Sequence, residues 1–244
     1  MFFAFLAVIL IGFGYSLVSV FVNDARRFRR QALLVSEYAA KRGYRLLNPA
    51  VQENLSNSAI EMFRNSSLRS LAKGSEGIVD IEPFGRGKDD PLAFVCTIRS
   101  RDVTVFNFTV FSQRPDGAGG TIHYRVGKAR AEHLPRFALG PRSVVHSVEH
   151  LVDGMIGRPT STINVDPQVS SDFNKHYWLE AQDRNAVLAF LSPGKLAFIA
   201  NDKLRGDVLT NSGYFVYRET GELRSEDDCD SFVATVDKVI AHLL

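Results

Sequence analysis

VTVFNFTVF, residues 103–111, is the stretch on which the fold turns. β-Branched and aromatic residues crowd it, and such side chains suit a pleated, half-buried surface better than a helix. Val103 and Val105 share one parity, whereas Phe106, Phe108 and Val110 share the other. That slip of phase predicts a β-bulge within the strand.

Working outward, Ile78 to Ile81 and Leu92 to Ile98 carry the same composition. The intervening segments Gly85-Arg-Gly-Lys-Asp-Asp90 and Arg114-Pro-Asp-Gly-Ala-Gly-Gly120 have the Gly, Pro and Asp content of hairpin turns. Thr121 to Val126 and Arg136 to Leu139 extend the run, so an antiparallel meander is expected. Further strands are expected at Thr162 to Val165 and, as a pair, at Asp207 to Thr210 and Tyr214 to Arg218.

Helical signals flank this block. Ala32, Leu33, Leu34, Val35, Tyr38 and Ala39 form a broad stripe that stops at Gly43, a C-cap after Lys41 and Arg42. Ser58 and Glu61 open a capping-box helix ending near Gly74, and Ser143 to Met155, Asp183 to Leu191 and Pro193 to Ala200 read as three more. The last helix has the clearest signature. Ser225 and Asp228 cap it, Glu226 and Asp227 suit its positive end, and Cys229, Phe232, Val233, Val236, Val239, Ile240 and Leu243 line one face. The expected class is therefore α+β: an N-terminal transmembrane helix, then a mainly antiparallel sheet packed with helices.

The transmembrane expectation comes from the leader. Phe2 to Val22 contains no charge, and its 21 residues would span about 31 Å as a helix, matching a hydrocarbon core of ~30 Å. The basic residues follow the apolar run instead of preceding it, and no A-x-A site stands before Arg26, so an uncleaved anchor is favoured over a signal peptide. Arg26, Arg27, Arg29 and Arg30 then form the only basic cluster near the span. By the positive-inside bias they stay on the cytoplasmic side and contact anionic lipid headgroups, with the rest of the chain beside them. The expected organisation is an anchor and basic segment over 1–30 and a cytoplasmic domain over 31–244 at the inner (plasma) membrane. Gly12 and Ser16 have the small-xxx-small spacing of close helix pairs.

Beyond that cluster the chain is balanced. Its 29 Lys and Arg and 27 Asp and Glu give a formal charge of +2, and removing the four arginines leaves the folded part near neutral. No segment after residue 45 combines clustered cations with stacking aromatics, so a nucleic-acid face is not expected. The two cysteines, Cys96 and Cys229, have no metal-ligand spacing and read as buried, reduced thiols.

One spacing carries possible chemistry. His146-Ser-Val-Glu149-His150 has the H-x-x-E-H pattern of inverted zinc peptidases, in which two His hold Zn²⁺ and the Glu acts as base to a bound water. The surrounding helix opposes it. Val144, Val145, Val148, Leu151, Val152 and Met155 take one face, which turns His146 and His150 toward solvent. No catalytic residue and no cofactor is the expectation; a zinc hydrolase using His146, His150 and Glu149 is the alternative. Gly85-Arg-Gly-Lys88 lacks a full P-loop and reads as a turn, and Trp178 reads as core.

Several blocks occur in a familiar order: Lys41-Arg-Gly-Tyr-Arg45, Asp102-Val-Thr-Val-Phe-Asn-Phe108, Leu134-Pro-Arg-Phe-Ala-Leu139 with Pro141, Asp172-Phe173, Tyr177, Leu179, Asp183, Leu191-Ser-Pro193 and Gly213-Tyr-Phe-Val-Tyr-Arg218. Together they resemble a family of uncharacterised bacterial membrane-anchored proteins with one or two N-terminal spans and a cytoplasmic α+β domain. The resemblance implies fold and topology and brings no catalytic set. A binding or scaffold module with a protein partner at the membrane surface is the expected function.

Overall fold

A computed structural model describes residues 30–47, 87–113, 119–142, 161–163, 165, 167–181, 183–211 and 213–244. Its elements in chain order are helix α1 (30–42), strands β1 (Arg45–Leu46), β2 (Gly87–Ile98), β3 (Arg101–Gln113), β4 (Gly119–Arg130), β5 (Phe137–Pro141) and β6 (Ser161–Thr162), then helix α2 (Pro167–His176). There follow strand β7 (Tyr177–Ala181), helices α3 (Arg184–Phe190) and α4 (Pro193–Asn201), strands β8 (Asp207–Asn211) and β9 (Tyr214–Thr220), and helix α5 (Glu226–Leu243). The strands make one sheet ordered β1-β2-β3-β4-β9-β8-β5-β7-β6, and every pairing in it is antiparallel. The α+β class and the antiparallel sheet are thus as the sequence indicates. Among the described residues no helix is long and apolar enough to cross a membrane; the expected span, 2–22, lies outside them.

The sheet buries both faces, and this explains the slip of phase in VTVFNFTVF. Val103 and Val105 join a large core on the side where helices α1 to α5 contribute Val35, Tyr38, Phe173, Val187, Ile199, Phe232 and Val236. Phe106 and Phe108 join a second cluster with Ala93, Tyr124, Val126, Leu209 and Val216. Asn107 completes the helix-side parity, buried, its Oδ1 accepting from the Leu223 N–H at 2.9 Å. No bulge is needed, and the β3–β4 register runs unbroken from Val103↔Ala129 to Gln113↔Gly119.

The irregularity lies one strand away, in β2, where the register shifts between Asp89 and Ala93. Pro91 stands in that interval and has no N–H to give the ladder. The expected turn at Gly85 to Asp90 is corrected accordingly. Gly87, Lys88 and Asp89 pair with Val110, Thr109 and Phe108, because backbone pairing along a long β3 overrides their turn-forming side chains.

Elsewhere the elements follow their expected chemistry. Gly43 ends α1 at φ +68°, its N–H bonding Ala40 O at 3.2 Å while the Tyr44 N–H reaches Ala39 O at 2.8 Å, the paired bonds of a Schellman stop. Ser225 Oγ accepts from the Asp228 N–H at 3.1 Å and Asp228 Oδ2 accepts from the Arg224 N–H at 3.2 Å, so α5 begins in a reciprocal cap. β6 stops at Thr162, short of the expected Val165, because the Asn174 side chain bonds both N–H and C=O of Val165 and replaces a strand partner. Helix α2 carries the polar sequence PQVSSDFNKH, in which Phe173 is the buried anchor, and so leaves little periodic signal. The expected helices at 58–74 and 143–155 and the strand at 78–81 lie outside the described residues.

Candidate functional site

The residues with predicted roles divide sharply. His146, Glu149 and His150 lie outside the described residues, as do Arg26, Arg27 and Arg29; Arg30 opens α1 and is exposed. Among the described residues no three His, Cys, Asp or Glu are grouped so as to hold a metal ion. Trp178 is buried in β7. Cys96 and Cys229 are free and buried, and burial pushes their thiols up to about 11 and about 12. At neutral pH both stay protonated and unreactive.

Two constellations remain. The first is the seat of α1, the helix that leads away from the basic cluster. Ala32, Val35, Ser36, Tyr38 and Ala39 are buried against the domain, whereas Arg30, Leu33, Glu37 and Ala40 face outward. Tyr38 donates to Asp230 Oδ1 of α5 at 2.7 Å, and Arg42 pairs with the other oxygen of the same carboxylate. Lys41 pairs with Glu226 one turn earlier on α5. The Tyr38 hydroxyl bond and the Arg42 charge hold the Asp230 carboxyl below the usual range, and burial pushes the Tyr38 phenol up. Behind α1, Tyr44 stacks on Phe94 with ring centroids 5.5 Å apart, and Tyr38 leans on both rings. The acidic start of α5, which the sequence reads as a cap, is therefore a cap and also a dock.

The second constellation is carried by three consecutive residues of β9 and was not foreseen. Glu219 stands directly opposite Arg125 of β4, and Arg218 directly opposite Asp207 of β8, on the other face of the sheet. On the helix side, Arg125 Nε and Nη2 donate to Glu219 Oε2 at 2.9 and 2.6 Å, while the Tyr217 hydroxyl donates to Oε1 at 2.5 Å. The guanidinium carbon lies 5.3 Å from the Phe232 ring centre. Burial first, then the Glu219 charge, pushes the Tyr217 phenol up. Nearby, His123 Nδ1 lies 3.0 Å from Glu222 Oε1, and Arg224 Nε donates to Oε2 at 3.1 Å. On the opposite face Arg218 Nε donates to Asp207 Oδ2 at 2.7 Å, with its guanidinium carbon 4.6 Å from the Tyr124 ring centre.

Glycines make room for these pairs. A Cβ on Gly140 would stand 2.1 Å from Asp207 Oδ1, and one on Gly206 would stand 2.2 Å from Arg218 O. The pattern was open to detection: charges inside the strand runs TIHYRV and YFVYRET, on strands buried on both sides, must find partners across the ladder. What the sequence withholds is which strands are neighbours.

Both constellations consist of paired groups. The described network on β9 holds its carboxylates between donors, which suits it to fix strand order. An open recess of about 470 Å³ is lined by Arg130, Glu132, His133, Gly213 and Tyr214. There Arg130 pairs with Glu132 at 2.7 Å, and the Lys128 ammonium sits 3.8 Å from the Tyr214 ring centre. No protein-family model matches the chain, and no curated protein and no solved structure is found similar to it.

Proposed function

We propose that this chain is a single-pass protein of the inner membrane whose cytoplasmic α+β domain binds a protein partner at the membrane surface. One observation carries the reading: the helix that follows the basic cluster is an integral part of the domain, with Val35, Tyr38 and Ala39 each 1% exposed or less. A helix packed into the core so soon after the basic cluster in sequence suits an anchor that holds a folded unit at the bilayer. Residues 2–22 supply the apolar span, and Arg26, Arg27, Arg29 and Arg30 supply cations for anionic headgroups. The ordered blocks that resemble membrane-anchored α+β proteins support the same organisation.

The reading is tested by proteolysis of the full chain in sealed spheroplasts and in inverted vesicles. Digestion of 31–244 only in inverted vesicles is the expected result; digestion by protease outside spheroplasts, or a mature chain beginning after Val22, overturns it. The H-x-x-E-H spacing supports a second reading as a zinc hydrolase. Metal analysis of the same purified chain decides that one: an equivalent of zinc, lost in a His146→Ala, His150→Ala double variant, would establish it.

A further inference from the structure

The β4–β9 ladder brings together groups that no stretch of the sequence combines. Residues 128–136, KARAEHLPR, carry Lys128, Arg130, His133 and Arg136 against a single acid, Glu132, in a domain that is near neutral as a whole. The aromatic partner comes from another strand: Tyr214 stands directly opposite Arg130, and the Lys128 ammonium lies 3.8 Å from its ring centre. Arg130, Glu132, His133, Gly213 and Tyr214 line the recess of about 470 Å³, and a Cβ on Gly213 would meet nothing within 4 Å, so the hairpin turn leaves space there.

The rim is held in place in advance. The Ala131 N–H bonds Gly213 O at 2.8 Å, which ties the end of β4 to the β8–β9 turn. Beyond it the backbone turns at His133, with φ +67°, and is pinned again at Thr210: its Oγ1 donates to Pro135 O at 2.6 Å and accepts from the Phe137 N–H at 3.0 Å. The backbone that carries His133 is thus fixed on both sides, and a preorganised site loses less freedom on binding.

One carboxylate already occupies the guanidinium. Arg130 Nη2 lies 2.7 Å from Glu132 Oε1, with 78% and 56% of the two side chains exposed. An exposed pair contributes little, so Glu132 holds Arg130 without sealing it off. A phosphate group brings more charge and more acceptor oxygens; a guanidinium fork binds it through two parallel bonds and leaves an oxygen for a second donor.

We propose that this recess binds a phosphate group, with Arg130 and His133 as its donors and Glu132 as the resident carboxylate that the phosphate displaces. It draws on no residue of the leader and stands or falls apart from the membrane reading.

Calorimetric titration of the full chain in nonionic detergent at low salt, with inorganic phosphate and separately with a soluble short-chain phosphatidic acid, is the test. A single equivalent should bind at millimolar concentration. Arg130→Ala should weaken binding about tenfold or more, and His133→Gln less. Glu132→Gln should tighten it about twofold to threefold by removing the competitor, an effect that a merely structural Glu132 would not produce. All three positions are exposed, and the urea unfolding midpoints should stay at the parent's. Tighter binding of the phosphatidic acid identifies a lipid headgroup as the source of the phosphate; equal or weaker binding identifies a soluble phosphate compound. The proposal is overturned by no saturable heat up to about 50 mM, or by weaker binding in Glu132→Gln. Undiminished heat in an Arg130→Ala, His133→Gln double variant would assign the binding to Arg26, Arg27, Arg29 and Arg30 and overturn it equally.

Discussion

Helix α5 and strand β9 both gather charge, and they use it in opposite ways. The pairs on α5 are exposed: Lys41 and Glu226 show 63% and 42% of their side chains to solvent. Those on β9 are interior, with Arg218 at 4% and Asp207 at 14%. Exposed pairs are screened and contribute little to stability, whereas an interior pair is costly to break because the remaining partner is stranded in a poor dielectric. The acidic run that attracts notice in the sequence is therefore marginal energetically, and the charges hidden in apolar strands govern the fold.

The sharpest way to break this contrast is to remove one interior partner. Arg218→Met should destabilise the chain by about 3–5 kcal/mol in urea unfolding, because it removes the buried guanidinium that donates to Asp207. A companion variant, Gly206→Ala, drives a methyl into the Arg218 carbonyl and should cost about 3 kcal/mol or somewhat less. A loss below 1 kcal/mol in both would show that β9 does not depend on its charges. Lower in the series, Ser225→Ala removes the α5 cap and should cost about 1 kcal/mol, read from the same unfolding curves. At the bottom, Lys41→Ala should fall within about 0.5 kcal/mol of the parent, and high salt should erase even that.

Acidity sharpens the comparison from another side. Asp230 has its carboxyl held low in the folded state, so its contribution is present above the ordinary carboxylate range and is lost as pH falls through the lowered value. The seat of α1 should loosen in that acidic window, and the Tyr38 fluorescence environment or exchange at 35–42 should report it. The thiols carry the opposite sign. Cys96 and Cys229 are raised, so their contribution is full below the ordinary thiol range and is lost as pH climbs toward about 11 and about 12. Neither should react with a thiol reagent at pH 8 until the chain is unfolded; rapid labelling of the native chain would mean that the core opens.

Local signals were legible wherever chemistry acts within a few residues. Gly43, the Ser225–Asp228 cap, the two-stranded piece at β8 and β9 and the buried stripe of α5 all stand where the side chains indicate. Readings failed where a residue's setting comes from afar. The phase slip in β3 suggested a bulge because one-sided burial was assumed, and the Gly85 to Asp90 turn gave way to a ladder whose partner is twenty residues on. Asn174 clamping Val165 has no local mark, and the charges of Arg125 and Glu219 stand out in their strands without showing that those two strands are neighbours.

The apolar leader, the basic cluster after it, the antiparallel α+β class and the inert thiols follow from the sequence alone, because each depends on the intrinsic chemistry of a short run of residues. Strand order, the burial of both sheet faces, the pairing of β9's charges with strands on either side and the seating of α1 on α5 were decided only by the tertiary structure. Those features join residues up to 192 positions apart, and which distant partners meet depends on how the whole apolar surface is removed from water, a property of the complete chain that no segment contains.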